Sequence, residues 1–244
     1  MTLVLLGFVP LFLVLQFGPQ LLARWLEPTW RVLVAAAVML ALALAFERRF
    51  FKRGPREALE ALGFRTSTRG ALAASVVLTL GMLAFFPAFA VLTGAQVRVR
   101  GDWWWVLVAI VAFNGIGEEA LFRGFTFGGL RRAGLSFARA APISLLAFAA
   151  AHLFLFFQNT VIVATLGTLV AVAWAVPVAL LFERAGDSIW PPVVLHAASH
   201  AIRLVDVSEP HTSTVLIAWL ALQLFAPFLI FGFRRNWLAQ VSYT

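Results

Sequence analysis

Glu118-Glu119-Ala120-Leu121-Phe122-Arg123 lies inside a run from Trp103 to Leu130 that is otherwise almost wholly apolar. Such a run exceeds the roughly 20 apolar residues that a bilayer-spanning helix needs. The two acids and the base are therefore read as intramembrane groups, each costing about 3 kcal/mol at a helix centre and so rarely without purpose. Helical spacing sorts them. Glu119 and Arg123 stand four apart on one face, acid before base, the favourable orientation for an ion pair. Glu118 is rotated by about 100° and has Asn114 four residues before it. Arg123 thus neutralises one carboxylate, and Glu118 stays free to titrate or to handle water. A packing staple needs one Glu; the second is surplus to packing.

The rest of the chain extends this reading. Hydrophobic residues make up 62% and charged residues 12%, about half the charge of an ordinary soluble domain, and the mean hydropathy is +0.92. We expect an all-α, polytopic integral membrane protein with about eight transmembrane helices. Residues 1–244 form one helical domain in this reading, with 103–205 as the core that carries its chemistry. The net charge of +8 sits in loops between apolar runs, which fits membrane lipids as partners and predicts no nucleic acid. The absence of Cys excludes disulfides and Cys-ligated metals. One Lys against eighteen Arg, with abundant Ala, suggests a GC-rich bacterial genome. No basic residue precedes Arg24, so the N-terminal run lacks the n-region of a cleavable signal and is read as a retained span.

Span 1 is read over Thr2 to Leu22 and span 2 over Trp30 to Phe46, with Trp25 and Trp30 in an interfacial belt. Glu47 to Arg69 is the most basic segment, and its residues 56–62 have the spacing of a helix lying in the interface. Span 3, about Gly70 to Leu92, is expected to kink at Pro87, and span 4 carries the acidic pair. Span 5 covers Ala138 to Phe157 and span 6 ends near Phe182. Asp187-Ser188-Ile189-Trp190-Pro191-Pro192 reads as the start of a short span 7, and span 8 runs from Thr214 to Phe233 before Arg234-Arg235. Eight spans leave both termini on one side. With that side cytoplasmic, thirteen Lys/Arg lie inside and five outside, the asymmetry of an N-in, C-in protein of the bacterial cytoplasmic membrane. Counting along the spans from the inner face predicts a cavity facing the cytoplasm. No internal repeat is visible, which weighs against an inverted-repeat transporter.

Three more polar groups stand at membrane depth. His152 follows Phe148 by four residues, so the phenyl can fix the imidazole rotamer; the His is either a helix–helix hydrogen-bond partner or a catalyst. His196 and His200 share a face across Ala197, Ala198 and Ser199. They are either a polar seam between close helices or a two-His arm able to hold a metal ion or polarised oxygen. Two acids and three His on three helices are hard to explain as independent packing choices.

Glu118-Glu119-x-x-x-Arg123, Phe148-x-x-x-His152 and His196-x-x-x-His200 together resemble the three ordered motifs of the CAAX protease and bacteriocin-processing family. The flanking residues 118–125, 147–153 and 186–196 agree, and the likeness covers about Trp103 to His200. These are intramembrane proteases that include the type II CAAX prenyl endopeptidases. The resemblance implies that Glu118 and His152 activate a water and that His196 with the last motif position stabilises an oxyanion. Glu119 and Arg123 then support the site, and Asn114 and Phe148 adjoin it. The family usually has Asn where this chain has His200. It implies either zinc, which His152, His196 and His200 would ligate here, or a metal-free Glu/His mechanism. The expected activity is endoproteolysis of a membrane-associated protein or peptide. A non-proteolytic immunity or partner-binding protein of the same family is the alternative, and a metal or proton-coupled transporter stands further off.

Overall fold

Inside a bilayer the backbone can satisfy its polar groups only in helices or closed barrels, and the apolar runs here are helical throughout. The computed structural model describes residues 1–233, so Arg234 and Arg235 lie outside the described residues. The fold is all-α and polytopic. Seven helices are long and apolar enough to cross a membrane: Thr2–Leu21, Pro28–Phe50, Arg69–Thr93, Trp103–Arg132, Phe137–Phe157, Val161–Arg184 and Thr212–Gly232. The first two are α1 and α2. A short α3 (Pro55–Ala61) precedes the third, which is broken into α4 (Arg69–Leu83) and α5 (Phe85–Thr93). The kink expected at Pro87 is this break at Ala84, because proline cannot bond the carbonyl four residues back and crowds it. The fourth span begins as α6 (Trp103–Ala109) and ends as α7 (Gly129–Arg132). α8 (Phe137–His152), α9 (Val161–Arg184), α10 (Trp190–Ser199) and α11 (Thr212–Phe225) follow, α8 and α11 each finishing in a 3-10 segment.

The eighth expected span needs correction. α10 has ten residues, about 15 Å of helix, half the roughly 30 Å of a hydrocarbon core. The chain nevertheless passes from one end of the bundle to the other through it. At its start, the Ile189 amide donates to the Gly63 carbonyl at 3.0 Å, between α2 and α4. At its finish, β2 (Val205–Val207) pairs antiparallel with β1 (Val97–Val99), which lies between α5 and α6. This small ladder was not expected from the sequence. The two ends differ in character. One gathers the loops around Arg48–Arg69, Arg131–Arg139 and Arg184, and is called the basic end below. The other carries Trp25, Trp30 and Trp103–Trp105, all at least partly exposed.

The basic end has its own buried charge. Glu47, at the last turn of α2, is buried and forms ion pairs with Arg53 and with Arg132, the latter at 3.7 Å. Arg131 pairs with Glu183 of α9 at 3.0 Å. Between the ends, Phe122, Phe125, Phe127 and Leu121 of the fourth span are wholly buried against α1, α2 and α8. That span is therefore the axis of the bundle, and its polar residues are held wherever its packing puts them.

Candidate active site

The fourth span is not a regular α-helix. It widens to a π-helix over Ile110–Gly117 and again over Ala120–Gly128, with Glu118 and Glu119 at the junction. π segments are rare and concentrate at functional sites. Local features accommodate them: the Thr126 hydroxyl donates to the Leu121 carbonyl five residues back at 2.8 Å. Gly124 lets the chain pass the Leu62 carbonyl, which a Cβ at that position would meet at 2.1 Å. Because i and i+4 remain close in the wider helix, the pairs read from α-helical spacing still form.

Asn114 Nδ2 donates to Glu118 Oε1 at 2.7 Å. Arg123 Nη1 donates to Glu119 Oε1 at 3.1 Å, sealed from solvent. The same Glu119 oxygen lies 2.6 Å from His196 Nδ1, and Glu119 Oε2 has no partner among the described residues. Glu119 is 0% exposed whereas Glu118 is 9%; only the second borders open space. His196 turns its other nitrogen, Nε2, toward Glu118 Oε2 at 3.8 Å, too far for a hydrogen bond. The two acids are thus divided. Glu119 is committed to a guanidinium and an imidazole, and Glu118 meets an amide and a gap.

His152 Nδ1 lies 2.8 Å from the Phe148 carbonyl. A carbonyl only accepts, so Nδ1 carries the proton and Nε2 keeps its lone pair. Phe148 organises the surroundings: its ring packs 4.6 Å from His152 and 4.5 Å from the Arg123 guanidinium. Below His196, Ser199 Oγ donates to the His196 carbonyl at 2.7 Å and Trp219 Nε1 to the Ser199 carbonyl at 3.0 Å. Glu118, Asn114, His152, His196 and His200 line one cavity of about 500 Å³. Its rim includes Gln20, Gln158, Asn159 and Arg203, which stand at the tryptophan-bearing end. The expectation that the site faces the basic end is therefore corrected. His152 closes a helix that starts at the basic end, so 16 residues of α8, about 24 Å of rise, carry it across the bundle.

His152, His196 and His200, the residues that a zinc ion would use here, line the cavity without forming a grouped set. Among the described residues no three His, Cys, Asp or Glu side chains are grouped to hold one ion. The His196 and His200 rings stack face to face, with centroids 5.3 Å apart and planes at 26°, instead of converging their nitrogens on a point.

Residues 100–202 match the family model described as type II CAAX prenyl endopeptidase Rce1-like. The motif-bearing core is thus similar to that family. The match covers the fourth span, α8, α9 and α10, where the three motifs lie. Comparisons with curated proteins and with solved structures return no match.

Several residues around this Rce1-like core were not singled out from the sequence. Arg203 Nη1 donates to Asn114 Oδ1 at 3.2 Å, placing a guanidinium one amide away from Glu118. It was assigned to an outer loop, since no local pattern connects it to a residue 89 positions earlier. Trp219 and Ser199 form the floor beneath His196, again through long-range contacts. Gln16 and Gln20 were a readable signal: apart from Thr2 they are the only polar side chains between Thr2 and Leu21.

Proposed function

We propose that the chain is an intramembrane endopeptidase in which Glu118 and His152 hold and activate the attacking water without a metal. The observation that carries this reading is that Glu118, His152 and His196 line one cavity, with Glu118 Oε2 3.8 Å from His196 Nε2. Water in the cavity donates one proton to Glu118 and its oxygen bonds the scissile carbonyl carbon. The carbonyl oxygen becomes an oxyanion facing His196. With its Nδ1 held by the Glu119 carboxylate, His196 presents its Nε2 side to that oxyanion. Glu118 passes its proton to the departing amide nitrogen, the C–N bond breaks, and the new carboxyl gives its proton to the amine, so that a carboxylate and an ammonium are released. Arg123 and Glu119 act by orienting His196.

The test is cleavage of a lipid-anchored, quenched-fluorescent peptide by purified protein in proteoliposomes. Glu118→Gln and His152→Ala are each expected to lower turnover by about 10²- to 10⁴-fold at unchanged membrane expression. Turnover near wild type in either variant removes that residue from the mechanism.

The substrate is a membrane-associated protein or peptide, and lipids are the surrounding partners. With the more basic end in the cytoplasm of a bacterial inner membrane, the cavity opens toward the opposite leaflet. The chain has no Cys, so single replacements report cleanly. Asn159→Cys should react with an impermeant maleimide added outside intact cells and Lys52→Cys should not; the reverse labelling inverts the orientation. One observation favours a second, non-proteolytic reading. His200 replaces the family's usual Asn, and its ring stacks on His196 with no side-chain hydrogen bond among the described residues. An immunity phenotype retained by Glu118→Ala would establish that reading.

A further inference from the structure

We infer that α1 is the wall on which the substrate's main chain is held, Gln16 and Gln20 bonding an extended peptide segment independently of its side chains. The inference rests on the peptidase reading and names what the site takes hold of.

Both glutamines line the cavity together with Leu15 and Pro19. Neither side chain hydrogen-bonds another residue among the described ones, although α1 is otherwise apolar. Gln16 is half-buried and Gln20 exposed, so both amides are open to a polar partner that enters the cavity. Pro19 lies inside the helix and supplies no N–H to the Leu15 carbonyl four residues back. The same strip of α1 therefore adds a backbone acceptor. Across the rim, Gln158 likewise has an unpaired side-chain amide and lines the same space.

The spacing fits a peptide. Gln16 and Gln20 are four residues apart, about 6 Å along a helix. In an extended chain, successive N–H and C=O groups on one edge recur every two residues, about 6.6 Å. Each primary amide offers two donor hydrogens and an acceptor oxygen, the complement of such an edge. Acyl chains offer nothing to pair with, so a peptide edge competes for these amides with water and not with lipid. α1 lies outside residues 100–202, and the wall is a feature of this chain rather than of the matched core.

The experiment uses the full chain carrying Glu118→Gln, in nanodiscs, and two fluorescein-labelled myristoyl decapeptides of mixed Ala, Leu and Ser. The second peptide differs only by N-methylation of three central amides. The unmethylated peptide is expected to bind at least about tenfold more tightly than the methylated one. Adding Gln16→Leu with Gln20→Leu should weaken it by about tenfold and leave the methylated peptide unchanged. Equal affinity for the two peptides overturns the inference, as does undiminished binding by the leucine variant or no binding of either peptide. Leucine suits an apolar span, and the methylation comparison needs no α1 variant at all. Wild-type protein that binds the unmethylated peptide yet leaves it intact refutes the peptidase reading while the wall stands. Cleavage with an unchanged KM in the leucine variant refutes the wall alone.

Discussion

Two buried carboxylate clusters sit in this bundle, and they are built differently. At the basic end, Glu47 is enclosed by Arg53 and Arg132, so each charge there has an opposite neighbour. At the junction of the two π segments, Glu119 has Arg123 and His196, but Glu118 is hydrogen bonded by the neutral Asn114 amide and borders the cavity, with His196 Nε2 3.8 Å away. A buried acid surrounded by cations is a structural tie whose loss is felt in stability. An acid satisfied by a neutral donor and open to water keeps its capacity for proton transfer. The contrast separates scaffold from chemistry within a single fold, by charge complement and not by burial alone.

That contrast can be broken by exchanging the roles. Glu119→Ala removes the shared partner of Arg123 and His196. It should cost about 3–5 kcal/mol of stability and nearly all turnover, measured by denaturation in detergent and by the peptide assay. Glu47→Ala should cost a similar amount of stability by leaving Arg132 unpaired, with kcat within a factor of two of wild type. A large loss of kcat there would erase the distinction between the clusters. Asn114→Ala should lower turnover by about tenfold through loss of one hydrogen bond to a charged group, with little change in stability. Arg203→Gln should show a smaller drop in the same direction, because it acts on Glu118 through Asn114. The mildest change is His200→Asn, which restores the residue usual in the resembling family. It should alter turnover by no more than a few-fold, and a large gain would mean that the stacked imidazole restrains the site.

Much of this site could be read along the chain because helices write their contacts at short, regular intervals. Glu119–Arg123, Asn114–Glu118 and Phe148–His152 are each four residues apart, and all three pairs touch. They persist even where the helix widens, since a residue four positions on stays on nearly the same face. Thr68 caps α4 by accepting from the Ala71 amide at 3.3 Å, another contact within one turn. The contact between His196 and Glu119, 77 residues apart, was not legible in the sequence. Nor was the Arg203 link to Asn114, or the stacking of His200 in place of ligand geometry. Span 7 reads as short, and α10 is a helix of ten residues, Trp190–Ser199.

The sequence by itself determined a helical membrane protein, its charge asymmetry, the local polar pairs and a three-motif likeness, because each depends on composition or on residues within one or two turns. Tertiary packing decided which acid stays uncommitted, that three imidazoles do not gather around a common point, and that the cavity opens away from the basic loops. Those outcomes follow from where helices start, how far they rise and which neighbours they meet, and chain order alone does not carry that information.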